Sequence, residues 1–222
     1  MSAWLSAEPF GWMDIVEVAL REDIGTGDVS ASAMPNGRLV DWYIEAQGSG
    51  VISGIGIVDY LFQPDGEFED IELLVGDGDQ VEPGKIVVRG KLDASNALQY
   101  ERTALNFLMH MSGVATSTAQ YVALTAGTKA KIADTRKTLP GLRLLQKYAV
   151  RCGGGFNHRM GLYDAVMIKD NHIQASGSIK AAVTAVRQTI GHLVRIEVEC
   201  ETEDQVVEAL AVKADVIMLD NM

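Results

Sequence analysis

Four short apolar runs in the second half of the chain, at residues 130–134, 165–169, 194–200 and 216–219, constrain its fold most tightly. Helical patterns separate the first run from the second and the third from the fourth. Strand, helix, strand at this spacing argues for parallel βα units, in either a barrel or an open doubly wound sheet. Both architectures collect their chemistry at the C-terminal ends of the strands. Here those ends carry Asp134-Thr135-Arg136-Lys137, Lys169-Asp170-Asn171, Glu199 and Asp220-Asn221. The third run alternates Arg195, Glu197 and Glu199 against Ile196, Val198 and Cys200. Successive strand side chains point to opposite faces. With the apolar set packed on helices, the charged set must look into a polar interior or mouth.

From Lys129 to Lys169 the chain carries nine Lys and Arg residues and two acids, a local net charge of +7 inside a chain of net charge −11. A basic island in an acidic protein suits a strongly anionic small molecule, not a nucleic-acid surface. Residues 1–100 hold five bases and eighteen acids, whereas residues 101–222 hold fourteen bases and twelve acids. The halves differ in kind, which predicts a two-part architecture. No apolar run is long enough to span a bilayer and no charged-apolar-small leader opens the chain, so the expectation is a cytoplasmic protein with no membrane partner. Cys152 and Cys200 fit a reduced intracellular protein, and neither has the neighbouring ligands of a zinc site.

The first half reads as a small antiparallel sheet with helices on one face, an α+β sandwich. Residues 10–22 form a short amphipathic helix, followed by a turn at 25–28. Residues 38–46 alternate as a half-buried strand, and 71–75 and 86–88 are further short strands. Residues 94–110 read as a longer helix with Ser95 as N-cap, and a second helical pattern after Gly113 runs to about Ala126. Arg102 projects within the stripe of Leu98, Leu105 and Met109. A charge in an apolar stripe either snorkels outward or faces a pocket or another subunit. Past Pro140, Leu142, Leu145, Ala149 and Cys152 give a helix its apolar face, and Gly153-Gly154-Gly155 caps it.

Each candidate residue has an ordinary alternative. Arg136 or Lys137 alone is a surface charge, and His158 alone is a structural hydrogen-bonder. Lys169 alone is a salt bridge to Asp170, and Glu199 and Asp220 pair with arginines. Their joint placement at successive strand ends favours a pocket. Arginine forks bind carboxylates bidentately, and each charge-assisted hydrogen bond contributes roughly 1.5–3 kcal/mol. The later acids suit a Mg²⁺ ion or ribose hydroxyls.

The motifs REDIGTGDVSA at 21–31, ERTALNFL at 101–108, ADTRKTLPGLR at 133–143, KYAVRCGGGFNHRMGLYDAVMIKDNHI at 147–173, IEVE at 196–199 and IMLDN at 217–221 span nearly the whole chain. In these residues the chain resembles the quinolinate phosphoribosyltransferases, the carboxylating nicotinate-nucleotide diphosphorylases. The resemblance implies an N-terminal α+β sandwich domain over 1–112 with its linking helix, then an open (β/α) barrel domain over 113–222. It implies that Thr135, Arg136, His158, Arg159 and Lys169 surround quinolinate, with Arg102 supplied by the neighbouring subunit of a homodimer or higher homo-oligomer. Lys137, Glu199 and Asp220 would address phosphoribosyl pyrophosphate, with Glu199 and Asp220 on its Mg²⁺. The reaction implied is phosphoribosyl transfer to the pyridine nitrogen with loss of the 2-carboxylate, in NAD biosynthesis. Family members continue past the aspartate strand with further βα units. Four parallel strands do not close a barrel, so the barrel is expected to be incomplete at the C-terminus and the chain a truncated representative. The alternatives are a molybdenum-associated paralogue, a Schiff-base aldolase using Lys169, and a non-catalytic fragment that binds a dianion.

Overall fold

The computed structural model describes residues 11–31, 37–63 and 71–222. It divides into two compact units, Met1–His158 and Arg159–Met222.

The first unit opens with α1, Trp12–Ile24, which buries Trp12 and Val16. Residue 10 of the expected helix lies outside the described residues. Strand β1, Leu39–Glu45, alternates between exposed and half-buried residues up to Ile44, as its sequence predicts. Two strands follow it in the chain, β2 (Gly50–Val51) and, beyond α2 (Ile55–Leu61), β3 (Ile71–Leu73). They are succeeded by β4 (Gln80–Val81) and β5 (Ile86–Asp93). One antiparallel sheet has the order β1-β5-β3 and a second pairs β2 with β4. The strand expected at 86–88 extends to Asp93 because β1 pairs with it along that length, while β3 pairs only with 88–90.

Helix α3 is one continuous element, Ala94–Leu124, where the sequence pattern predicts two. Gly113 does not interrupt it, because hydroxyls on both sides of it tie the helix to the segment at 51–53. Ser112 Oγ accepts the Ser53 N–H at 3.0 Å and Thr116 Oγ1 accepts the Val51 N–H at 2.8 Å. The N-cap is Asp93, whose carboxylate accepts the Ser95 N–H at 2.9 Å, so Ser95 is the capped residue. Phe107, Leu108, Met111 and Ala115 on α3 share a core with Val87, Val88 and Leu92 of β5. Helix α4, Arg143–Cys152, adds Leu145, Tyr148, Ala149 and Cys152 to the same core. Its end lies hard against α3: a Cβ on Gly153 would fall 2.7 Å from Thr118 Cβ and closer still to the Ala115 carbonyl. The glycine triplet is therefore a close-packed connection, with Gly154 at φ +82° making the turn.

The apolar run at 130–134 does not form a strand. Only a single parallel bridge, Ala133 to Phe156, marks it. The second unit carries the remaining three runs as β6 (Val166–Ile168), β7 (Ile196–Cys200) and β8 (Val216–Leu219), all parallel, in the order β6-β7-β8. Helices α5 (Asp170–Ser176) and α6 (Ile179–Arg187) connect the first pair, and α7 (Glu203–Ala211) the second. Ile168, Ile196, Val198 and Cys200 pack with Ile179, Ala182, Val183 and Ala209 of those helices. The opposite face carries Glu197 and Glu199 from β7 beside Met167, Val216 and Met218 of its neighbours, so the charged residues of the third run share it with apolar ones.

Candidate active site

In the first unit the polar residues converge on Asp134. Its carboxylate accepts from Lys147 Nζ, from the His158 N–H at 2.8 Å and from Asn157 Nδ2 at 2.6 Å. Lys147 stands on α4 and is 1% exposed. Its ammonium also donates to the His158 carbonyl at 2.9 Å. Asn157 reaches back to the Lys147 carbonyl at 2.7 Å. The Ala133–Phe156 bridge completes the arrangement, with the Asp134 N–H on the Phe156 carbonyl at 3.0 Å. The segments carrying Thr135-Arg136-Lys137 and His158 are thus tied together at their roots.

Thr135 Oγ1 accepts the Lys137 N–H at 3.0 Å, which turns the chain just past the bridge. Lys137 is exposed and Arg136 half-buried. The Nε–H of Arg136 is buried without an acceptor. A buried donor left unpaired costs roughly 1–3 kcal/mol, a cost an entering carboxylate removes. Arg102 lies on the outer face of α3, with the apolar side chains Leu98 and Met109 about half exposed beside it at 52% and 56%. Its guanidinium comes within 3.9 Å of Glu101.

In the second unit, Arg159 donates to the Ala165 carbonyl at 3.1 Å and lies 3.6 Å from Met167 Sδ, which directs it along β6. Its Nε–H is also buried without an acceptor. The loop that follows is set by Asp164, which accepts the Met160 and Gly161 N–H groups at 2.7 and 2.9 Å. Burial alone would raise the Asp164 pKa, but these N–H groups hold it below the usual carboxylate range. The strand register places Met167 beside Glu197, and Glu197 beside Val216, with Glu199 beside Met218. Glu199 is the next-to-last residue of β7, and Lys169 and Asp220 directly follow β6 and β8 at the C-terminal edge of the sheet. Lys169 Nζ pairs with Glu199, so its partner is not the adjacent Asp170. His172 Nδ1 accepts the Lys169 N–H at 3.1 Å and fixes the start of α5.

A Mg²⁺ ion that travels with substrate phosphates needs only one or two protein carboxylates; of the two expected here, Glu199 is paired with Lys169 and Asp220 is exposed. They do not suit a closed protein cage: among the described residues no group of three or more His, Cys, Asp or Glu side chains is placed to hold a metal.

Two family models cover these residues: "Quinolinate phosphoribosyl transferase, N-terminal domain" over residues 28–112 and "Quinolinate phosphoribosyl transferase, C-terminal domain" over residues 114–222. The chain belongs to the quinolinate phosphoribosyltransferase family. Within it, the chain is 46% identical over 200 residues to the probable carboxylating nicotinate-nucleotide pyrophosphorylase of Bacillus subtilis, covering 90% of this chain and 69% of that one. It is 44% identical over 214 residues to the carboxylating nicotinate-nucleotide pyrophosphorylase of Mycobacterium leprae, with 94% and 74% covered. The crystal structure of NadC from Streptococcus pyogenes superposes with a TM-score of 0.92 at 39% identity, over 98% of this chain and 77% of that one. As a quinolinate phosphoribosyltransferase family member the chain has the mixed α/β fold expected of it, with both family domains present.

Two features of the site go beyond what the sequence suggests. By sequence, Lys147 and Asp134 count only as charges, and Asn157 only as part of a linking segment. No helical pattern marks its burial: at about 100° per residue Lys147 lies roughly opposite Leu145, on the side of Arg143 and Arg151, and only the fold encloses it. Once enclosed, a lysine needs an internal carboxylate.

Proposed function

We propose that the protein transfers the phosphoribosyl group of phosphoribosyl pyrophosphate to quinolinate with decarboxylation, giving nicotinate mononucleotide, pyrophosphate and CO₂ in NAD biosynthesis. What carries this reading is the match of both family domains across the chain, on the same residues that build the polar clusters. The unpaired, buried Nε–H groups of Arg136 and Arg159, in a segment of strong local positive charge, support a carboxylate ligand.

In this reading Thr135, Arg136, His158, Arg159 and Lys169 hold the two carboxylates of quinolinate and orient its ring nitrogen. That nitrogen attacks the anomeric carbon as the bond to pyrophosphate breaks. Lys137 faces the leaving pyrophosphate. Positive charge builds on the ribosyl carbon as that bond lengthens, and the fixed carboxylates of Glu199 and Asp220 stabilise it. Lys169, paired with Glu199, links the two substrate sites electrostatically. When bound, Mg²⁺ would neutralise pyrophosphate oxygens, held by Glu199 and Asp220. Alkylation leaves the ring nitrogen cationic. The 2-carboxylate then departs as CO₂, its electron pair stays on C2 beside that nitrogen, and a solvent proton replaces it. No side chain need form a covalent bond to substrate.

Three further parts of the reading concern assembly, domain division and location. The exposed stripe of Leu98, Met109 and Arg102 on α3 favours a homodimer in which Arg102 reaches the neighbouring site. A division into functional domains at 112/113 is supported by the two family models, which meet there, although α3 runs through it. The reading places the enzyme in the cytoplasm; separately, no helix among the described residues is long and apolar enough to cross a membrane. The test is an acceptor comparison. Pyrophosphate release with phosphoribosyl pyrophosphate and Mg²⁺ is expected with quinolinate and not with nicotinate, and the reverse preference would refute the reading.

A further inference from the structure

Lys147 has no part in the chemistry just described, yet among the described residues it is the least exposed charged side chain. A buried ion pair is poor value for stability alone, because apolar residues of similar volume often hold a core as well or better. What an apolar pair cannot do is orient a peptide group. Here the pair does so at one residue. Asp134 takes the His158 N–H at 2.8 Å and Lys147 donates to the His158 carbonyl at 2.9 Å. Both backbone polar groups of His158 are held by the two ends of a single ion pair. Asn157 closes the ring, its Nδ2 bonding Asp134 Oδ2 at 2.6 Å and the Lys147 carbonyl at 2.7 Å. Asp134 also lies two residues before Arg136, so the same pair anchors the root of that side chain.

We propose that the Lys147–Asp134 pair and Asn157 form a positioning device for the quinolinate site, fixing the backbone of His158 and so the direction of its imidazole. The inference rests on the reading of His158 as a quinolinate ligand. Ligand groups must be held within roughly 0.5 Å to work together, and a misplacement of about 1 Å costs on the order of a hundredfold. Asn157 and Lys147 are thus positioning residues that act on the ligand through His158.

The test is a double-mutant cycle read by calorimetry with quinolinate, on the full chain, with thermal melting of every variant. Asn157→Ala is expected to weaken quinolinate roughly tenfold and His158→Ala at least as much. The double variant should be no weaker than His158→Ala, within about threefold, because the first change has nothing left to act through. Lys147→Arg, which keeps the charge but not the single bridging ammonium, should behave like Asn157→Ala in the same cycle. Losses that multiply, or unchanged affinity in both positioning variants, would overturn the device and leave the proposed function standing. No quinolinate binding by the unaltered chain would overturn both. If neither Asn157→Ala nor Lys147→Arg melts cooperatively, the ring is purely structural and the positioning role falls.

Discussion

Replacing Lys147 with Met tests the energetics of the central ion pair. The side chains of Lys147 and Asp134 are 1% and 8% exposed, so water cannot take over the lost partner. Breaking a buried pair by removing one member costs roughly 3–5 kcal/mol. Asp134 would keep the His158 N–H and Asn157 Nδ2, which lowers its share, while the His158 carbonyl would lose its donor at 2.9 Å. We expect Lys147→Met to cost about 3 kcal/mol, and Asp134→Asn, which strands the ammonium, about the same or more. The double variant removes both charges, and the amide carbonyl introduced by Asp134→Asn still accepts the His158 N–H. It should cost less than the sum of the singles by roughly 2–3 kcal/mol. Urea unfolding followed by circular dichroism measures this directly. With a slope of about 2 kcal/mol per molar, each single change moves the midpoint by roughly 1.5 M. Singles that add within about 0.5 kcal/mol, or a Lys147→Met loss below about 1 kcal/mol, would refute the coupling.

Arg136→Ala should weaken quinolinate by roughly ten- to a hundredfold in calorimetry, the loss of one or two charge-assisted hydrogen bonds, with little change in melting temperature. Gly153→Ala should destabilise the fold by roughly 1–3 kcal/mol, because the new methyl falls 2.7 Å from Thr118 Cβ and closer still to the rigid Ala115 carbonyl; a melting temperature equal to that of the parent would contradict the close approach of α4 to α3. Burial pushes the Cys152 thiol up from 9.0 to about 11, so at pH 8 its thiolate is about a hundredfold scarcer than an ordinary one. Cys200 is raised in the same direction by burial. Native alkylation at pH 8 should therefore label neither thiol rapidly, and both only after denaturation. Because the folded protein holds the Cys152 proton more tightly, this contribution is present below about pH 9 and is lost as the pH rises toward 11; stability that grows across that range would contradict the burial.

Periodicity made much of the fold legible. The alternation from Leu39 to Ile44 and the charged-against-apolar pattern of Ile196–Cys200 each lie on the faces their sequence assigns. The candidate strand at 130–134 fails because its pairing partner is a single residue, Phe156, and one bridge does not make a ladder. Gly113 suggests a break in α3 that does not occur, because hydrogen bonds from Val51 and Ser53 to the adjacent hydroxyls override an unfavourable propensity. At the site, the strand-end acids and bases are visible one by one. Their partners are not, since pairing of Lys169 with Glu199 instead of Asp170 depends on strand register across 30 residues. The burial of Lys147 likewise depends on a carboxylate 13 residues away.

Release of labelled CO₂ from quinolinate carrying the label in its 2-carboxylate tests the central claim most directly. With phosphoribosyl pyrophosphate and Mg²⁺, CO₂, pyrophosphate and nicotinate mononucleotide should appear in equal amounts, and omitting phosphoribosyl pyrophosphate should abolish all three. Pyrophosphate without CO₂, or CO₂ that does not depend on phosphoribosyl pyrophosphate, would contradict it.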